Sequence, residues 1–169
     1  MVPPARGLRP GGAYPSVFFG LAVVVVALDA TTKQLAMTHL VGGETRHFVG
    51  SFLQLTLLRN PGMAFSQATN LTWLLSLIVI GVSIAVVIVS RRCRSLPWTI
   101  ALGLILGGAL GNLADRLFRD PGVLRGHVVD FLELPHWPVF NLADSAVVAG
   151  AILIVALSLT GRTMDGGGR

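Results

Sequence analysis

Residues 71–90 read Leu-Thr-Trp-Leu-Leu-Ser-Leu-Ile-Val-Ile-Gly-Val-Ser-Ile-Ala-Val-Val-Ile-Val-Ser, twenty consecutive positions without a charged side chain. About 20 apolar residues in a helix cover the hydrocarbon core of a bilayer. Leu71–Ser90 is therefore a membrane-spanning helix. Ser95–Ala114 is a second window without charge, and Ser145–Gly161 is charge-free for 17 residues and reaches spanning length if it begins near Phe140. A fourth apolar run starts at Val17, is uncharged through Leu28, and continues through Asp29 and Lys33 toward Leu40. The expectation is an all-α membrane protein of four transmembrane helices, over residues 16–40, 70–90, 96–117 and 140–161, forming one domain at 16–161.

Composition leads to the same solvent. Of 169 residues, 53% are hydrophobic and only 12% charged, where a soluble domain carries about 25% charged residues. One domain of this length cannot hide so much apolar surface from water. A soluble globule, a disordered chain and a disulfide scaffold are excluded, the last because Cys93 is the only cysteine. The formal charge of +5 then concerns membrane sidedness and not nucleic acid, which is not an expected partner.

The first run could be a cleaved leader, since Arg6 and Arg9 precede it. No A-x-A site follows, however, and Asp29 and Lys33 stand at i,i+4 with the acid first, the better order for a helical ion pair. Retention of this helix is expected. With four spans, the N-terminus, the Arg91–Arg94 loop and the C-terminus share one side, whose net charge is +6 against −1 for all other residues. The positive-inside rule makes that side cytoplasmic, where a free Cys93 thiol is unremarkable. Residues 1–15, rich in Pro and Gly, and the Gly166–Gly168 stretch of the 162–169 tail are expected to be disordered.

The two outer connections differ. Across 44–66, Leu53, Leu55 and Leu57 alternate with Gln54 and Thr56, which predicts a small β segment between helices 1 and 2. Gly50-Ser51 is its candidate two-residue hairpin turn. Residues 119–139, with Asp-Pro-Gly, Arg-Gly and two further prolines, read as a loop.

Charged groups inside a span cost roughly 2.5–3.5 kcal/mol each on insertion scales and mark function by default. Here they gather at one depth. Asp29 and Lys33 are toward the outer end of helix 1, Asn112, Asp115 and Arg116 toward that of helix 3, and Asn141 and Asp144 open helix 4, with Asp130 in the loop before it. Asn112, Asp115 and Arg116 stand at i, i+3 and i+4, on one stripe. Gly103, Gly107 and Gly111 form two overlapping G-x-x-x-G patterns, read first as a packing seam. Asn141 is placed to cap helix 4, with Asp144 at its third position. Capping does not account for Asp130. Were it to fold against Asp144, the two carboxyls could not both ionise and one would keep a proton, as an aspartyl hydrolase requires. Spacing alone leaves that meeting open. No G-x-S-x-G elbow or phosphate loop is present, and His39, His47, His127 and His136 have no ligand spacing, so no metal or other cofactor is expected.

In this order the polar positions resemble the lipoprotein signal peptidases (signal peptidase II) of bacterial inner membranes, across residues 29–145. Asp29-Ala-Thr-Thr-Lys33 resembles D-x-x-[ST]-K, and Asn60-Pro-Gly62-Met-Ala64-Phe65 resembles N-x-G-x-A-F. Gly108-Ala-Leu-Gly111-Asn112-Leu-Ala-Asp115-Arg116 resembles G-x-x-G-N-x-x-D-R. Val128-Val-Asp130-Phe131 and Phe140-Asn141-Leu-Ala143-Asp144 resemble V-x-D-F and F-N-x-A-D. The resemblance implies a metal-independent aspartic endopeptidase that removes the signal peptide of prolipoproteins, cutting before the diacylglyceryl-modified cysteine. It implies Asp130 and Asp144 as the catalytic dyad, and Asn60, Asn112, Arg116 and Asn141 as substrate-binding residues. Asp29, Lys33, Gly62, Gly108, Gly111 and Asp115 would be supports, and cyclic-peptide inhibitors would be ligands. Arg119–His127 and the N-terminal extension receive no role from it.

Two rival readings start from the same charges. A small ion- or proton-coupled transporter should carry them near the bilayer midplane, often on broken helices. A non-enzymatic membrane binding protein would use Asp130 and Asp144 only for capping and solvation.

Overall fold

In the computed structural model, which describes residues 14–40, 45–62 and 71–166, the other three helices lean on α3 (Leu96–Phe118). α1 (Pro15–His39) and α4 (Leu142–Leu159) pack along it and touch each other, while α2 (Thr72–Ser90) is held by α3 alone among the helices. All four are long and apolar enough to cross a membrane, so the chain is a multi-pass membrane protein.

The glycine positions explain why α3 is the hub. In lipid there is no hydrophobic drive between helices, and small residues that let backbones approach supply the attraction. A Cβ at Gly107 would lie 2.6 Å from Val25 Cβ and 3.0 Å from the Ala22 carbonyl of α1. On the adjoining face, a Cβ at Gly108 would overlap the Ala143 carbonyl of α4. The expected seam is thus two seams, one for α1 and one for α4, and Gly150 of α4 returns the contact against Ala101 and Ile105.

The helix bounds differ little from expectation. α1 begins at Pro15, whose fixed φ and missing N–H suit the first turn, and α4 begins two residues after 140 because Asn141 is its cap. Residues 162–166, expected to be a tail, fold back on the bundle. The Arg94 amide donates to the Met164 carbonyl at 2.8 Å, and the Trp98 indole donates to the Arg162 carbonyl at 3.1 Å. Cys93 is buried beside them, its thiol near Ser95 and Thr99. The stretches 1–13 and 167–168, part of the expected disorder, lie outside the described residues.

Beyond one end of the bundle sits a three-stranded antiparallel sheet in the order β1-β2-β3, with β1 at Arg46–Val49, β2 at Leu53–Asn60 and β3 at Val128–Glu133. Two expectations are corrected here. The hairpin turn is Gly50-Ser51-Phe52, three residues, because Val49 pairs with Leu53 and a bulge follows His47. The 119–139 connection is not all loop, since Val128-Val-Asp-Phe-Leu-Glu is a strand whose Val129 faces Arg59 and whose Leu132 faces Leu55. The flanking Gly and Pro residues dominate the sequence there, yet the run itself is β-branched and aromatic. α1 runs past the polar layer, and Ala36 and Leu40 pack on Phe131, Leu55 and Leu57 of the sheet. The strand that carries Asp130 is thereby fixed to the helix that carries Asp29.

Candidate active site

Asn141 is the N-cap of α4, and the capping box is complete. Its Oδ1 accepts from the Asp144 amide at 2.9 Å, and its own backbone N–H donates to Asp144 Oδ2 at 3.1 Å. With the oxygen so engaged, the Asn141 amide nitrogen faces the other way. It donates to Asp130 Oδ1 at 2.6 Å and to Asn112 Oδ1 at 3.0 Å. One residue therefore hydrogen-bonds both carboxyls, Asp130 through its side chain and Asp144 through its backbone.

Two further asparagines repeat the arrangement. Asn60 ends β2, and its Oδ1 accepts from the Gly62 amide at 2.8 Å, so its nitrogen donates to Asp130 Oδ2 at 2.8 Å. Gly62 has φ +106°, a backbone conformation that favours glycine, and a Cβ there would also require the Leu75 side chain, 2.6 Å away, to shift. Asn112 of α3 accepts from Lys33 Nζ at 3.0 Å, and its nitrogen donates to Asp144 Oδ1 at 2.7 Å. A carboxylate can only accept, and each of the four carboxylate oxygens meets an N–H.

Behind Asn112 lies a buried string of alternating charge. Lys33 Nζ contacts Asp29 Oδ2 at 2.7 Å and Asp115 Oδ2 at 2.8 Å, so with Asn112 its three donors are all used. Asp115 also pairs with Arg119 and accepts from the Val129 amide at 3.2 Å, one residue before Asp130. Asp29 accepts from the Ala143 amide at 2.9 Å, one residue before Asp144. Each support thus holds the backbone next to one member of the pair. A buried charge left unpaired costs several kcal/mol, so these groups are stable only as a set. Gly111 completes the enclosure, since a Cβ there would lie 2.7 Å from Asp29 Oδ2.

The two carboxyls differ in burial. Asp130 is 2% exposed whereas Asp144 is half-buried. Desolvation pushes the Asp130 carboxyl up to about 6, against hydrogen bonds from Asn60 and Asn141, and the nearby Asp144 charge adds to the rise. Asp144 opens on a cleft of about 330 Å³ among α2, α3 and α4, whose polar lining is Asn112, Arg116 and Asp144 and whose walls include Val79, Val82 and Val147. Arg116 donates to the Asn112 carbonyl at 3.3 Å, and its buried Nε has no hydrogen-bond partner among the described residues. A buried donor without an acceptor is uncommon and calls for a ligand or a strained alternative.

Asp130, Asp144, Asn60, Asn112, Arg116 and Asn141 therefore converge, while Asp29, Lys33, Asp115, Gly62, Gly108 and Gly111 surround them. Met63, Ala64 and Phe65 of the second motif lie outside the described residues. Among the described residues no group of three or more His, Cys, Asp or Glu could hold a metal ion. Sequence reasoning missed Ser76, which is fully buried and donates to the Leu124 carbonyl at 2.8 Å, anchoring the 119–127 loop to α2. α2 carries three other hydroxyl residues, Thr72, Ser83 and Ser90, so nothing local in the sequence singles Ser76 out. The tie between Asp115 and Arg119 at i,i+4 was missed too, although its spacing was visible.

Comparison with known proteins places this architecture. Residues 21–160 match the family model described as Signal peptidase (SPase) II. A lipoprotein signal peptidase of Rhodococcus jostii is 53% identical over 150 residues, 89% of this chain and 76% of that protein. One from Mycobacterium leprae is 50% identical over 169 residues, the whole of this chain and 80% of that one. A bacterial membrane enzyme solved by the in meso method at 1.9 Å superposes with a TM-score of 0.73 at 30% identity, covering 90% of this chain and 98% of that one. Another, at 2.3 Å, gives a TM-score of 0.75 at 28% identity, over 90% and 93% of the two chains.

Proposed function

The chain belongs to the signal peptidase II family, and from that membership we propose that it is an aspartic endopeptidase that cuts prolipoproteins before the diacylglyceryl-modified cysteine, with Asp130 and Asp144 as its catalytic pair. Removal of the signal peptide from prolipoproteins is the activity of the family. The observation that carries the aspartic reading is the double engagement of Asn141, whose side-chain amide donates to Asp130 at 2.6 Å and whose backbone N–H donates to Asp144 at 3.1 Å.

The roles follow from burial. Asp130, nearly sealed from solvent and shifted upward, holds the shared proton. Asp144, at the cleft, is the member of the pair placed to take a proton from water. Asp144 takes a proton from water as the water oxygen bonds to the scissile carbonyl carbon, and Asp130 gives its proton to the carbonyl oxygen. The resulting gem-diol collapses when the C–N bond breaks. The proton on Asp144 goes to the leaving amine, and a hydroxyl proton returns to Asp130, restoring the starting state. Asn112 and Asn141 hold the carboxyls in register, and Arg116 and Asn60 orient the peptide backbone. Arg suits that task because it stays charged and presents a rigid fork of donors.

The cleft supports the same substrate. Its aliphatic walls, opening between α2 and α4, suit the apolar helix of a signal peptide, and its polar end meets the scissile bond where that helix stops. Cyclic-peptide inhibitors would fill the same space. The enzyme sits in the bacterial inner membrane with both termini cytoplasmic and the sheet on the outer face, a placement supported by the charge imbalance across the bundle. Cleavage of a lipidated prolipoprotein by purified Asp130→Asn and Asp144→Asn chains tests the assignment. Each should lose at least three orders of magnitude in rate while inserting normally. More than a few per cent of residual rate in either removes the pair from the chemistry.

A further inference from the structure

Among the helices α2 packs mainly on α3, which leaves a groove on each side. The groove toward α4 ends at Asp144. The groove toward α1 has about 680 Å³ of space, is floored by Leu106 and Leu110 of α3, and contains none of the catalytic residues. Small side chains on α1, namely Ala22, Ala27 and Ala30, create its depth. Along α1 the lining runs from Phe19 to Ala30. At ~1.5 Å per residue that is about 16 Å, half of the ~30 Å hydrocarbon core and thus the depth of one leaflet.

At the end away from the sheet the lining turns polar. Arg91, at the C-terminus of α2, lines this groove and also a neighbouring cavity of about 320 Å³ that includes Tyr14, Ser90 and Thr99. Among the described residues Arg91 has no salt-bridge partner, and Arg92 and Arg94 follow it. The same mouth receives the start of α1, which has no side-chain cap and no acidic residue in its first turn. Arg91, which offsets the negative end of the α2 dipole, and the positive end of the α1 dipole therefore face one pocket with Tyr14, Ser90 and Thr99 in its lining, and that pocket adjoins a leaflet-long apolar slot.

We propose that this groove is a site for an anionic phospholipid, with one acyl chain lying between α1 and α2 on Leu106 and Leu110 and the phosphate at Arg91. The charge at the mouth selects the headgroup, and the depth of the slot selects a chain and not a helix. A bound chain also fills the gap left because α1 and α2 do not pack together, and so braces the helix that forms one wall of the catalytic cleft.

The test uses the full chain in nanodiscs containing trace phosphatidylglycerol or phosphatidylcholine with a photoreactive acyl chain, followed by peptide mapping. Phosphatidylglycerol should label 22–30 and 84–88 several-fold more than phosphatidylcholine does. Arg91→Gln should reduce that preference about fivefold, the worth of one basic residue near an anionic surface. Ala27→Phe should cut labelling of the groove by either lipid while prolipoprotein cleavage still reports a folded chain. Equal labelling by the two lipids, or a preference that survives Arg91→Gln, would mean ordinary lipid solvation and overturn the proposal.

Discussion

Lys33 Nζ lies 3.0 Å from Asn112 Oδ1, and that contact settles which way the Asn112 amide faces. An ammonium group can only donate, so the oxygen of Asn112 must turn toward Lys33 and the nitrogen toward Asp144. Lys33 touches neither carboxyl of the proposed pair, yet it orients the group that donates to one of them.

The first prediction concerns this orienting role. Lys33→Met should lower stability by about 3–5 kcal/mol, because Asp29 and Asp115 lose their common cation while remaining buried. The double variant Lys33→Met with Asp29→Asn should recover part of that loss, since one stranded charge is then neutral. Thermal unfolding in detergent measures both. A double variant no more stable than the single one would show that the three groups do not act as a set.

The sequence carried much of this. Hydropathy placed the four spans within a few residues, because a helix in lipid must be apolar along its length whatever its partners. The Asp29–Lys33 pair was legible because both residues lie on one helix, and the Asn141–Asp144 box because capping is local. Asp115 was on the right stripe, but its bond to the Val129 amide joins α3 to β3, and no local rule specifies that pairing. The strand at Val128–Glu133 was lost for a related reason. Its partner β2 is some seventy residues earlier in the chain, and the intervening glycines and prolines speak only for the turns around it. The meeting of Asp130 with Asn141 depends on all of these long-range contacts at once.

A second prediction follows from the raised Asp130 carboxyl. Its folded-state value is about 6 against an ordinary 3.8. Stability from the neutral form is thus fully present below pH 3.8 and lost as pH rises through 6. The change across that window is about 3 kcal/mol. Melting measured from pH 4 to 7 should show the decline in the wild-type chain and much less of it in Asp130→Asn. If the protonated form is also the active one, kcat/KM should fall tenfold per pH unit above about 6. Asp144→Asn should lower the Asp130 value, because the Asp144 charge helps to raise it, and carboxyl infrared bands would report that shift. An unmoved band would mean that the two groups do not sense each other.

Arg116 supplies the third. Its Nε is buried without a partner among the described residues, and the guanidinium lines the cleft beside Asp144. Arg116→Lys keeps the charge but removes the planar fork. The expectation is a loss of ten- to a hundredfold in kcat/KM with little change in melting temperature. Unaltered kinetics would show that Arg116 only fixes the outer turn of α3.

The last prediction tests whether the two glycine seams set the height of the carboxyl pair as well as the packing. A methyl at Gly108 would overlap the Ala143 carbonyl, a backbone atom with no side-chain freedom to yield, so Gly108→Ala must push α4 away from α3. Ala143 lies next to Asp144 and donates to Asp29, so the displacement reaches the site directly. A methyl at Gly20 of α1 would meet nothing within 4 Å. Gly20→Ala should therefore be neutral or slightly stabilising, as a better helix former on an open face. Gly108→Ala should lower stability by about 1–3 kcal/mol through overpacking. It should also lower kcat well beyond what the unfolded fraction explains, because the Asn112–Asp144 bond spans the same interface. Measuring turnover and melting on both variants separates the two effects. Should Gly108→Ala lose stability yet keep full kcat, α4 can shift without moving Asp144, and the helix contact would be structural alone.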